Sequence, residues 1–351
     1  MSNPNQIPTT AVFAVLISAC FPLSPWINNA VHSARLGAVP SHRVSHPSIT
    51  TYYLENIFLA QGSVMAFRSI EEVQFGVSMF PTDYSIQPVE LAKAVEERGL
   101  DSLFFPEHTH IPVSRKSPFP GGGDLPKQYW HAHDPFVALA AAAAVTDRIL
   151  LGTGICLIIE RDPITTAKEI ASLDMISNGR SVIGIGAGWN REEMENHGAN
   201  FPNRWAIVRE KVLAMREIWT KEEAEFHGKH VDFDPIWSYP KPVQKNGPPI
   251  WIGANSKWVF DRIADYADGW MPIGGLGSGN MDRLRDAFEA HGRKVEELDL
   301  ALFGTPMNAD QARGRIDQGF DHLIFNLPAE TADTVLPTLD RCVEVIKAIR
   351  G

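Results

Sequence analysis

The sequence predicts a (β/α)8 TIM barrel of the α/β class, and three observations carry that reading. Apolar runs of strand length alternate with helical segments, eight times over, from Val73 to Ile349. The runs are apolar throughout rather than at every second residue, as parallel strands covered on both faces require. Glycine and proline mark the joins. A doubly wound sheet shares the first two features and is the structural alternative.

Residues 73–80 form the first strand, closed by a turn at Pro81-Thr82-Asp83-Tyr84. A helix follows with Leu91, Ala92 and Val95 on one face and Gly99 at its end. Residues 102–106 are the second strand. After it runs a long polar loop, 109–133, with Pro112, Pro118, Pro120 and the run Gly121-Gly122-Gly123. A loop of that length in a compact domain is usually a functional lid. Asp134-Pro135 opens an alanine-rich helix in the N-cap and N1 manner. The third strand is 149–158, its helix 164–177, and the fourth strand 181–187. Trp205, Val208, Val212, Met215 and Trp219 make one stripe of a long helix. The fifth strand, 249–254, leads to a helix at 258–267, and the short sixth, 269–273, to a helix at 281–291. Residues 298–304 and 322–327 are the last two strands, and the closing helix carries Val335, Leu339, Cys342, Val343, Ile346 and Ile349.

Composition narrows the function classes. The 351 residues carry a formal charge of -10, which disfavours nucleic acid and anionic membrane as partners. No run of 18 apolar residues is present, so a spanning helix is not expected. Cys20, Cys156 and Cys342 make no CxxC or zinc spacing and suit a reducing, cytoplasmic setting. Residues 1–64 differ from the rest, with Glu55, Arg35 and Arg43 as their only acidic and basic side chains apart from histidine. The apolar stretch 11–23 contains Ile17-Ser18-Ala19-Cys20, similar to a lipoprotein cleavage site. Residues 1–10 lack the positive charge of a secretory n-region. The segment 1–64 therefore reads as an N-terminal extension, disordered or a misassigned start, with an export or anchoring signal as the alternative. The barrel domain is then 65–351, with its lid at 109–133.

In a barrel, chemistry sits at the C-terminal ends of the strands. That rule selects Glu107, His108, Thr109 and His110 after the second strand, and 154–160 with Arg161-Asp162-Pro163 after the third. It also selects 186–193 after the fourth and Gly253-Ala254-Asn255-Ser256 after the fifth. Gly184, Gly186 and Gly188 alternate, which marks either a close approach by ligand or a crowded interior. Gly253 to Ser256 leads into a helix that Ser256 can cap, leaving N–H groups for an anion. An ordinary capped turn would look the same. His108 and His110, near Glu107, His131, His133 and Asp134, have the His-x-His spacing of a metal site. No further ligand follows from the other strands, so no metal is expected, and acid–base or substrate-contact roles are favoured.

A linked series of segments points to a family. It starts at Phe105-Pro106-Glu107-His108 and continues through Arg148-Ile-Leu-Leu-Gly-Thr-Gly-Ile155 and Arg161-Asp162-Pro163. Its most specific part runs from Ala167-Lys168 through Leu173-Asp174 to Ser177-Asn178-Gly179-Arg180, joined to Gly184-Ile-Gly-Ala-Gly-Trp189-Asn190-Arg191-Glu192-Glu193. Gly198, Phe201, Arg204, then Pro249-Ile250-Trp-Ile-Gly-Ala-Asn255, Ala264-Asp265 and Ala267-Asp268-Gly269-Trp270 complete it. The chain resembles the luciferase-like monooxygenase superfamily of bacterial-luciferase-like barrels, most of all its coenzyme F420-dependent branch.

The resemblance implies a deazaflavin ring across the barrel mouth, held by Thr153, Gly154 and Ile155, with a non-proline cis peptide at Gly154–Ile155. It places the cofactor phosphate near Gly186, Ala187, Gly188, Arg191 and Glu192, and near Gly253, Ala254, Asn255 and Ser256. It makes His108 the proton donor or acceptor and Glu107 its tuner or a cofactor contact. The expected reaction is hydride transfer between F420 and a small organic substrate. The alternatives are an FMN-dependent monooxygenase fed by a flavin reductase, and a flavin- or deazaflavin-binding barrel without turnover. A metal-dependent hydrolase is the remotest reading. Family members are often dimers, so a homodimer is the implied assembly.

Overall fold

Eight parallel strands close into a barrel in the computed structural model, which describes residues 69–351 apart from 276 and 278. The segment 1–64 lies outside the described residues. In chain order the strands are β1 (Gln74–Ser78), β2 (Ser102–Phe105), β3 (Leu150–Cys156), β4 (Ser181–Ile185), β5 (Ala224–His227), β6 (Asp232–Ile236), β7 (Ile250–Ile252), β8 (Gly269–Trp270), β9 (Asp299–Phe303) and β10 (His322–Asn326). The barrel runs β1-β10-β9-β8-β7-β4-β3-β2, so the (β/α)8 reading holds. β5 and β6 form a separate antiparallel hairpin.

The helices are α1 (Pro88–Glu97), α2 (Gln128–His131), α3 (Pro135–Ala143), α4 (Pro163–Ser177), α5 (Arg191–Asn196), α6 (Arg204–Thr220), α7 (Val259–Tyr266), α8 (Asn280–Ala290), α9 (Ala309–Ile316) and α10 (Ala332–Arg350). Their starts follow local chemistry. Asp134 and Asp162 accept backbone N–H bonds from Val137 (3.0 Å) and Thr165 (2.8 Å), each with proline at the first helical position. The end of α4 is a left-handed turn, Asn178 at φ 54° and Gly179 at φ 80°. On α6 the predicted stripe is buried at Val208, Val212, Met215 and Trp219. No helix among the described residues is long and apolar enough to cross a membrane.

Several elements differ from expectation. The β5–β6 hairpin, α9 and the short helices α2 and α5 have no counterpart in the predicted series, because each is short or largely solvated. The hairpin leaves Glu225, His227, Asp232 and Asp234 exposed, and α9 buries only Ala312 and Ile316. The sixth barrel strand shrinks to the two residues of β8. Ser256 does not cap α7, which begins at Val259 with Trp258 at its N-cap and no side-chain capping bond.

Side chains alternate across the barrel wall. Leu103 and Phe105, Leu300 and Leu302, and Leu323 and Phe325 join the large cluster under the helices. The residues between them, Phe104, Ala301 and Ile324, form a second cluster inside the strands with Val182, Trp251 and Met271. Ile155 and Phe303 pack against that inner cluster.

Candidate active site

The floor of the mouth is built by an irregularity in β3. Its pairing with β4 runs to Thr153↔Ile183 and resumes at Cys156↔Ile185, so Gly154 and Ile155 together stand opposite Gly184. The Gly154–Ile155 peptide is cis, as the resemblance implied. Thr153 pins the bulge by donating its hydroxyl to the Gly184 carbonyl at 2.7 Å.

The surrounding glycines are explained by contact. A Cβ on Gly186 would lie 2.0 Å from Ile155 Cδ1, and one on Gly253 would lie 2.6 Å from Ile155 Cγ2. Half-buried Ile155 therefore lies across both. Gly154 faces the Phe303 ring, 2.6 Å from where its Cβ would stand, and Gly188 alone in this segment takes a left-handed φ, 65°.

Gly184→Ala and Gly186→Ala should separate. The first drives a methyl to 2.2 Å from the Thr153 carbonyl oxygen, where backbone must shift; the second meets only the end of the Ile155 side chain. We expect Gly184→Ala to lose about 1–3 kcal/mol in urea denaturation and Gly186→Ala clearly less. Equal losses would contradict this account of the floor.

Beside the floor stands His108, its side chain 7% exposed and its Nδ1 2.8 Å from Glu193 Oε2. That carboxylate, 1% exposed, fixes the tautomer with the proton on Nδ1 and leaves the Nε2 lone pair as a base. Asn190 caps the short α5 by accepting from the Glu193 N–H (3.3 Å), which sets Glu193 facing inward. The rings of Tyr129 and Trp189 flank the imidazole at 5.1 and 5.9 Å.

Glu107 has other partners. Its oxygens accept from the Leu157 N–H at 2.6 Å and from Arg161 Nε at 2.7 Å. Arg161 also meets Asp134 at 2.5 Å and Glu169 at 2.9 Å, making one cation the hub of three carboxylates. Glu107 thus ties the loop after β3 to the end of β2 and does not contact His108 through any of these bonds.

The lid is latched to α5. The Arg191 N–H donates to Ser117 Oγ at 3.1 Å, and the Ser117 N–H donates to Glu192 at 3.2 Å. Above it Phe119 packs on Tyr129 and Trp189, at 5.3 and 6.1 Å between centroids. The histidines do not converge. His110 bonds Thr109 and Asn196, and His131 bonds Asp83. Among the described residues no group of three or more His, Cys, Asp or Glu could hold a metal.

Across the floor, Ala254 accepts from Trp270 Nε1 (2.9 Å) and Asn255 donates to the Ile273 carbonyl (2.9 Å). Asn255 and Ser256 border a polar cavity of about 390 Å³ with Lys257, Asn280 and Arg283. Its two cations and amide groups suit an anionic group.

A model of the family described as luciferase-like monooxygenase matches residues 83–329, more than half of the chain. The chain belongs to the luciferase-like monooxygenase family. An uncharacterized protein of Mycobacterium tuberculosis is 39% identical over 274 residues, covering 77% of this chain and 97% of its own. An F420-dependent glucose-6-phosphate dehydrogenase of Nakamurella multipartita is 30% identical over 241 residues, 66% of each chain. The crystal structure of monooxygenase RslO1 from Streptomyces bottropensis shares the fold, with TM-score 0.64 at 21% identity, covering 79% of this chain and 100% of that one. Oxidoreduction is the general reaction class of this luciferase-like family.

Sequence reasoning missed three members of the site: Glu193 as the partner of His108, Arg161 as a hub, and the buried Glu160. Each stood in a strand-end segment, but nothing in the sequence says which side chains of such a segment turn inward.

Proposed function

We propose that this protein is an oxidoreductase that moves a hydride between a deazaflavin of the F420 type and a small organic substrate. The observation that carries the reading is the His108–Glu193 pair, 2.8 Å apart, set beside the floor of Gly154, Ile155, Gly186 and Gly253. The floor offers a broad apolar support bordered by glycine, and the polar cavity bordered by Asn255 and Ser256 offers Lys257 and Arg283 to a charged tail. Thr153, Gly154 and Ile155 would underlie the ring, with Gly186 to Gly188, Arg191, Glu192 and Gly253 to Ser256 around it. When bound, the deazaflavin supplies the two-electron acceptor or donor. The protein orients the substrate, keeps water out beneath the lid, and takes or gives the substrate's proton at His108 Nε2. The 30% identity to an F420-dependent dehydrogenase supports the same choice.

Fluorescence titration of the protein with F420 and, separately, with FMN tests this. Micromolar binding of F420 in preference to FMN is the expected result. Preference for FMN would replace the proposal with a two-component monooxygenase supplied by a reductase. Binding of neither would overturn both.

A further inference from the structure

Glu160 closes a short 3-10 turn, Ile158–Glu160, directly after β3. Its side chain is 1% exposed, and neither carboxyl oxygen makes a hydrogen bond of normal geometry, the Thr109 hydroxyl being its weak polar neighbour. The turn beneath it is held firmly. Lys211 Nζ donates to the carbonyls of Ile158, Ile159 and Arg161 at 3.2, 2.9 and 2.6 Å. A carboxyl group buried in this way is expensive unless it is neutral or shares a proton.

Glu193 has the complementary deficiency. One oxygen holds His108, while the other, Oε1, is buried without a partner. Both carboxyls belong to one group of side chains, since the charge of Glu193 acts on Glu160. On the outer side, His197 Nε2 lies 3.8 Å from Glu160 Oε2, and the His197 side chain is 30% exposed. Thr109 Oγ1 bridges His197 and His110, at 2.8 and 2.9 Å.

We propose that Glu160 is the proton store of this site, exchanging protons with Glu193 on the inside and, through His197, with solvent on the outside. The proposal rests on the oxidoreductase reading above. The groups facing Glu160 are Glu193 on α5, Glu107 after β2, Thr109 on the lid, Arg161 on its own loop, Lys211 on α6, and His197. Burial, then the charges of Glu193 and Glu107, push the Glu160 carboxyl up to about 9, so it carries a proton at neutral pH. Burial and neighbouring His110 hold His197 below its ordinary value, leaving it a neutral acceptor there.

When His108 Nε2 takes a proton from a substrate O–H or N–H, its Nδ1 proton passes to Glu193. Glu160 releases its proton to His197 and solvent and takes the one on Glu193. One proton enters, one leaves, and Glu193 returns to a carboxylate able to neutralise the next. The reverse order supplies a proton for reduction. No electrons move along the path.

The variant that tests this is Glu160→Gln, which keeps the shape and removes the exchangeable proton. Infrared spectra of the protein without added cofactor should show a buried carboxylic-acid band that fades as pH rises through about 9 and is missing in Glu160→Gln. Turnover with F420 should fall roughly tenfold in kcat with KM little changed, and the solvent deuterium isotope effect should rise. His197→Gln should show the same kinetic change, relieved by imidazole buffer. Stability gives an independent sign. The folded chain keeps a proton that the unfolded chain releases near the ordinary 4.5, so Glu160 loses stability for the fold as pH rises from there to about 9. Glu160→Gln should therefore melt higher than the parent at pH 8 and equal to it at pH 4. A missing acid band, or an unchanged isotope effect and pH profile, would overturn the proposal. Failure of the parent to bind F420 would strike the functional reading instead, and the infrared and melting results would still decide the state of Glu160.

Discussion

Replacing Arg161 by methionine is expected to destabilise the barrel by about 3–5 kcal/mol, because it strands a buried charge. The three carboxylates it serves are not equal. Asp134 and Glu169 side chains are 42% and 36% exposed and can be rehydrated, whereas that of Glu107 is 1% exposed. Glu107 would keep the Leu157 N–H but lose its cation. The loss should appear as a lower urea midpoint at unchanged slope. Adding Glu107→Gln to Arg161→Met should recover much of it, since the double variant leaves no buried carboxylate stripped of a direct guanidinium partner. Arg161→Lys should not rescue, because one ammonium cannot span the fork that meets three side chains. A single-variant loss under about 1 kcal/mol would mean that water reaches Glu107.

The largest kinetic effect is expected at His108. In the proposed reaction the base is its Nε2, because Nδ1 is committed to Glu193. Removing a positioned base of this kind commonly lowers turnover by about 10²–10⁴-fold. His108→Ala should do so in kcat while F420 affinity changes only a few-fold, since the floor is made by β3, β4 and β7 rather than by the imidazole. Glu193→Gln should retain a hydrogen bond to the ring but lose the charge that stabilises its protonated form, giving a smaller fall. Steady-state kinetics beside fluorescence titration separates the two effects. If His108→Ala lost binding and kept turnover at saturation, His108 would be a binding group and the mechanism above would be wrong.

The barrel was legible because its strands are covered on both faces and so are apolar without interruption, as in Leu103-Phe104-Phe105 and Ile250-Trp251-Ile252. The β5–β6 hairpin and α9 escaped notice for the same reason inverted, since solvated elements carry no apolar run to read. The glycines were readable only as an ambiguity between ligand and crowding; Ile155 crowds Gly186, the Thr153 carbonyl and Met271 crowd Gly184, and Met194 crowds Gly188. Glu107 and His108 are neighbours in sequence, but successive side chains at a strand end face opposite ways, one toward Arg161 and one toward Glu193. Glu193 lies 85 positions from the histidine it orients, and such a pairing is set by closure of the barrel rather than by local pattern.

The six residues of α5 carry both the lid's attachment and the histidine's anchor. Arg191 and Glu192 hold Ser117, and the next residue holds His108. On the proposed reading, opening the loop would pull on the turn that sets the tilt of the imidazole, and substrate entry and base alignment would share one mechanical linkage. An engineer wishing to change the accepted substrate has two unequal regions to work with. The latch around Ser117 is geared to the chemistry. The exposed tip at Gly121 to Gly123 is not, and is where insertions and new side chains should be carried without disturbing the base.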